Sequence, residues 1–151
     1  MSQQNETRLP KPEHGDGGQA FFTSVGCMDG RVQDVVAEFG RQKFGAEFPD
    51  TITEAGLVGK LSQEPLDQSL LDSLKFKILD VSIGKHHSKG IIVHGHQECA
   101  ASDAVDDERH KEDIRKSVQK IKSLINSSVP VVGVFVKRSL DNVQRWEIEE
   151  V

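Results

Sequence analysis

Two short apolar runs, each closed by glycine and each followed at once by a cluster of chemically active side chains, constrain this chain more than anything else in it. Ala20-Phe21-Phe22-Thr23-Ser24-Val25 reads as a buried strand ending at Gly26, and Cys27-Met28-Asp29-Gly30-Arg31 follows. Gly90-Ile91-Ile92-Val93 reads the same way, with His96-Gln97-Glu98-Cys99 just beyond Gly95. In an open parallel sheet, ligands collect in the crevice at the carboxyl ends of the strands, so two neighbouring parallel strands would bring both clusters to one place.

Helical patterns separate the strands. Val32, Val35, Val36 and Phe39 recur at helical spacing, with Gly40 placed to end that helix. Thr51-Ile52-Thr53 is a candidate short strand. Pro65 opens a longer helix whose stripe is Leu66, Leu70, Leu74, Ile78 and Val81, ending near Gly84. Ser102-Asp103 caps a further helix with Ile114, Val118, Ile121 and Leu124 on its apolar face, reaching about Asn126. Val129 to Val136 is a last apolar strand, with Pro130 tolerated near its start. Strands alternating with helices predict an α/β domain with a parallel-type sheet flanked by helices. The 151 residues, 36% apolar and 28% charged, suit one domain with a real core.

We divide the chain into a tail, residues 1–19, disordered or wrapped on a partner, and a domain, residues 20–151. Leu9-Pro10-Lys11-Pro12 and Gly15-Asp16-Gly17-Gly18 argue against a long helix in that tail. In the polar segment from Asp141 to Val151, Val143, Trp146 and Ile148 are candidates for packing against a partner.

Charge and hydropathy exclude several functions. A net charge of -5, with basic residues scattered among acidic ones, leaves no electrostatic footprint for nucleic acid. No apolar run approaches the roughly 20 residues that span a bilayer. Met1 to Gly18 holds no apolar signal core, so the cytoplasm is the expected compartment. That compartment also disfavours the disulfide that two cysteines could otherwise form. Oxidative joining of Cys27 to Cys99 is conceivable only in metal-free protein.

Cys27, His96 and Cys99 together supply two thiolates and an imidazole, a donor set that suits Zn2+. With no third cysteine to close the shell, the fourth position stays open, which points to catalysis instead of a structural site. Two thiolates nearly neutralise the ion, so it acidifies bound water less than a three-histidine site, where the pKa is ~7. Asp29 is spaced to accept a hydrogen bond from that water, and Arg31 to hold the carboxylate through a forked pair.

In these segments the chain resembles the β-class carbonic anhydrases. Their Cys-x-Asp-x-Arg segment is similar to Cys27–Arg31 and their Gly-His-x-x-Cys segment to Gly95–Cys99. Ala55-Gly56 stands where they have Ala-Gly, and Ser73-Leu74-Lys75-Phe76 resembles their Ser-Leu/Ile-x-Tyr/Phe helix, so the likeness runs from about Phe21 to about Val136. Thr53-Glu54 replaces the family's Arg-Asn, His94 stands where a small or apolar residue is usual, and Phe44 to Pro49 is the place for extra residues between the motifs.

The resemblance implies zinc-dependent, reversible hydration of carbon dioxide to bicarbonate by a zinc-bound hydroxide that the Asp29-Arg31 dyad orients. It implies a homodimer or dimer-based oligomer with the cleft at the subunit interface. In part of the family the aspartate can leave its arginine and occupy the fourth zinc position. Activity would then rise from about pH 7 to about pH 9.

Alternatives are a same-fold hydrolase of carbon disulfide or carbonyl sulfide, and a non-catalytic zinc-binding relative. Gly56 reads first as a turn glycine and Phe76 as a core aromatic beside the helix stripe; lining a substrate pocket is the second reading of each. His86, His87 and His94 are proton-shuttle candidates by residue type. The first two fit better as solvated turn residues, and His94 as a satisfied core or ligand-supporting side chain.

Overall fold

In the computed structural model, which describes residues 15–102 and 106–151, the apolar runs form the middle of a five-stranded sheet. In chain order the elements are β1 (Phe21–Gly26), α1 (Gln33–Phe44), β2 (Phe48–Thr53), α2 (Leu57–Leu61), α3 (Gln68–Lys75), a π-helical continuation of it (Phe76–Ile83), β3 (Ile91–His96), α4 (Asp107–Ile125), β4 (Val131–Arg138) and β5 (Trp146–Glu150). The strands lie in the order β2-β1-β3-β4-β5. The first four are mutually parallel, and β5 runs antiparallel to β4. No helix among the described residues is long and apolar enough to cross a membrane.

Both faces of the sheet are covered, which is why β3 is buried at every position. Ile91 and Val93 face a cluster with Leu57, Leu61, Leu74, Ile78, Ile114 and Ile121. Ile92 faces the opposite cluster, with Phe22, Val32, Val36, Val134 and Val136, onto which Trp146 and Ile148 of β5 also pack.

Several sequence expectations need correction. Gly40 does not end α1: the helix runs on to Phe44, and Gly45 ends it in the left-handed region at φ 61°. Gly40 lies in mid-helix because a Cβ there would stand 2.1 Å from the Phe22 ring. The helix expected from Pro65 begins at Gln68, where the Asp67 carboxylate accepts the amides of Ser69 and Leu70. From Phe76 its winding loosens to π, and the buried side chains become Leu74, Ile78 and Ser82, four residues apart, with Val81 only partly covered. Asp106, not Ser102-Asp103, caps α4, accepting the Arg109 amide; Asp103 lies outside the described residues. The helix does stop at Asn126.

Trp146 and Ile148 pack, partly buried, on this chain's own sheet, while Val143 is exposed. Of the expected tail, residues 1–14 lie outside the description. The described end turns back through an Asp16 carbonyl accepting the Gln19 amide, and Asp16 pairs with His87 at 2.7 Å. His86 is not simply solvated: it stacks on Phe21 and bonds Asp50 at 2.8 Å. Asp50 also accepts from the buried Ser82, tying the π segment to β2.

Candidate metal centre

Sheet register assembles the site. Gly26 of β1 lies beside His94 of β3, so the residues leaving the two strands, Cys27 and His96 through Cys99, meet at one crevice. The ligand atoms of Cys27, His96 and Cys99 lie within 4.8 Å of one another, with the two sulfurs 3.8 Å apart. Glu98 takes a left-handed conformation, φ 57°, turning the chain between His96 and Cys99.

The donor set fits a soft divalent cation. His96 is 1% exposed, and its Nδ1 sits 2.6 Å from the Gln97 carbonyl, which accepts from it. That contact assigns the proton to Nδ1 and leaves Nε2 as a lone-pair donor. Nε2 is buried with no hydrogen-bond partner among the described residues, a costly state unless an ion takes its lone pair. The Gly56 amide donates to the Cys27 sulfur at 3.4 Å. Gly56 has φ 62°, and a Cβ there would press on Ala101 at 3.2 Å, so glycine suits this close approach.

Asp29 and Arg31 flank the ligands. The Arg31 side chain donates to both carboxylate oxygens through Nε at 3.0 and 3.2 Å and Nη2 at 2.7 Å, and its backbone amide adds a bond of 2.9 Å. These Arg31 hydrogen bonds hold the Asp29 carboxyl down, to about 2, against the opposing effect of burial. Oδ2 of Asp29 is 4.0 Å from His96 Nε2, so the clamped carboxylate lies beside the ligand atoms.

Three residues that the sequence reading did not single out for the site complete its surroundings. Gln33 donates to the carbonyls of Cys27 and Asp29, both at 2.8 Å, bracing the loop between them. Arg138 grips Glu98 through Nε at 2.8 Å. Trp146 lies edge-on to His96 with 6.4 Å between ring centroids. Strict alternation in Trp146-Glu147-Ile148 was the available signal for the strand that carries it.

His94 is fully buried, and neither ring nitrogen has a hydrogen-bond partner among the described residues, unlike the satisfied core residue expected. Burial pushes its pKa down to about 3, so the ring is neutral. Gly56 borders a cavity of about 390 Å³ with Lys60, Ser102, Arg109 and Asp113. Phe76 is 58% exposed at the start of the π segment, outside that lining.

No curated protein matches the chain. Among solved structures, it is similar to a carbonic anhydrase from Glaciozyma antarctica, with 16% identity over 97% of this chain and 87% of that one and a TM-score of 0.50. It is also similar to the b-carbonic anhydrase CafA of Aspergillus fumigatus, with 13% identity over 89% of this chain and 76% of that one and a TM-score of 0.47. At such identities the likeness concerns the fold. Residues 17–151 match the family described as "Putative carbonic anhydrase", and with most of the chain inside that match the chain belongs to this family.

Proposed function

We propose that this protein hydrates carbon dioxide reversibly to bicarbonate and a proton at a zinc ion held by Cys27, His96 and Cys99. The observation that carries this reading is the cluster of Cys27, His96 and Cys99, in which the buried His96 Nε2 has no hydrogen-bond partner among the described residues and a clamped carboxylate lies 4.0 Å away. Zinc at these ligands would supply Lewis acidity, lowering the pKa of water and polarising the substrate oxygen.

The protein's own groups do the rest. Asp29, ionised because Arg31 holds its pKa low, can only accept a hydrogen bond, so it orients a water O–H towards itself and leaves an oxygen lone pair free for carbon. Arg31 keeps that carboxylate from turning onto the metal. The Gly56 amide fixes the Cys27 sulfur, and the Gln97 carbonyl fixes the His96 ring. The same reading includes a homodimer or dimer-based oligomer, as the resemblance to the β-class carbonic anhydrases implies. It also includes a reducing compartment such as the cytoplasm, in which both cysteines would stay available as ligands.

The test is stopped-flow carbon dioxide hydration on protein of measured zinc content, at about pH 7.5 and about pH 8.5, beside a Cys99→Ser control. Turnover that disappears in the control is expected. Absence of turnover at both pH values, with one zinc per chain, overturns the reading.

A further inference from the structure

The carboxyl-terminal strand brings an aromatic ring to the catalytic dyad. The Arg31 guanidinium lies over the Trp146 ring, 5.3 Å from its centroid, and the Arg138 guanidinium lies over the same ring at 4.1 Å. Two cations on one indole would repel, but Glu98 contacts both: Arg138 Nε at 2.8 Å and Arg31 Nη1 at 3.6 Å. Arg31 Nη2 also donates to the Glu98 carbonyl at 3.2 Å. The four charges, Arg31, Arg138, Asp29 and Glu98, sum to zero around a half-buried ring.

Arg31 is itself 44% exposed in its side chain, and a long exposed arginine gives up substantial rotamer entropy when held in one orientation. Its bonds to Asp29 come from a neighbour two residues away on a short loop, so they do not by themselves fix where the pair sits relative to the ligands. A rigid indole, itself anchored by the β4–β5 pairing of Arg138 with Trp146, supplies that reference.

We propose that Trp146 is a positioning residue of the site: its indole, held by Arg138, fixes Arg31 in the orientation that grips Asp29 beside the metal ligands. The role of the dyad in turnover rests on the function proposed above; the coupling between Trp146 and Arg31 does not. When the indole is lost, Arg31 samples other rotamers and Asp29 is freed to compete for the open metal position.

The chain contains one tryptophan and no tyrosine, so its tryptophan emission reports Trp146 alone. The experiment uses the full chain at matched zinc content with Trp146→Leu, Trp146→Phe, Arg31→Met and the double variant Trp146→Leu/Arg31→Met. The expected results are a change in emission for Arg31→Met and a non-additivity of roughly two- to fivefold in the unfolding constant across the cycle, the strength of an exposed cation–π contact. In zinc-loaded protein, Trp146→Leu should raise the pH at half-maximal carbon dioxide hydration, and Trp146→Phe should restore most of the shift.

An additive cycle with unchanged emission overturns the proposal whatever the activity. A Trp146→Leu variant that loses rate with no pH shift, and is not rescued by phenylalanine, overturns it as well, leaving a structural role only. Coupling and emission change in a protein without carbon dioxide turnover would uphold the positioning and refute the proposed function instead.

Discussion

Gly26→Ala probes the contact on which the whole site is mounted. A Cβ at Gly26 would lie 2.3 to 2.4 Å from three atoms of the His94 ring, far inside van der Waals contact. The ring cannot step aside, because His94 is fully buried and sits in register between Gly26 and Val134. Inserting one methyl into such a site costs about 1–3 kcal/mol, and the closeness of three ring atoms places the expectation at the upper end, about 3 kcal/mol.

For a chain of this size that lowers Tm by roughly 6–12 °C. The strain also falls on both halves of the metal centre, since Cys27 follows Gly26 and His96 lies two residues past His94. The assay is urea unfolding with zinc stoichiometry measured in parallel, on Gly26→Ala, His94→Ala and the double variant. Removing the ring removes the clash, so the double variant should be no less stable than His94→Ala alone, a coupling of about 3 kcal/mol. A Gly26→Ala change within about 0.5 kcal/mol of the parent, or strict additivity of the two substitutions, would refute the argument.

Two further outcomes are expected. Arg31→Ala removes charge-assisted bonds of roughly 1.5–3 kcal/mol from Asp29, so stopped-flow hydration near neutral pH should fall about 10- to 100-fold with zinc content retained; an undiminished rate would rule out the clamp. His110, 6% exposed and stacked on Phe135, has its pKa lowered chiefly by burial, with Asp113 opposing. The unfolded chain therefore binds this proton more readily than the folded one, so its effect on stability is absent above the ordinary histidine pKa and grows as pH falls below it. The slope of unfolding free energy between about pH 7 and about pH 5 should flatten in His110→Gln, and an identical slope would exclude the effect.

Local signals carried well where the structure obeys local rules. The apolar runs at Phe21–Val25 and Ile91–Val93 are strands because a strand buried on both faces needs no alternation, and glycine follows or interrupts each where the chain turns towards the crevice. Asn126 ends α4 as its sequence position suggests. The errors came where a distant neighbour decides. Gly40 looks like a helix stop, yet it is a contact point for Phe22, and nothing within α1 reveals that. Val81 fits a 3.6-residue stripe, but the π winding hands the buried position to Ser82, whose hydroxyl bonds Thr23 at 2.6 Å across the core. Trp146 reads from sequence only as an apolar residue in a polar segment, and the return of β5 along β4 is what brings it to Arg31 and Arg138 of this chain.

The candidate donor set was legible because metal chemistry depends on residue type: two thiols and an imidazole suit a soft cation before any geometry is known. The fork between Asp29 and Arg31 was legible for the same reason, since two residues of separation on one loop keep it local. Convergence was legible only as a consequence of two parallel strands being neighbours: Cys27 and Cys99 stand 72 residues apart, and how close their sulfurs come is set by the register that puts Gly26 beside His94. The sequence by itself determined which atoms can bind and which carboxylate can be held. Tertiary structure alone decided the register within the crevice and the place of Trp146 over the arginine, because strand pairing, unlike side-chain chemistry, is a property of segments far apart in the chain.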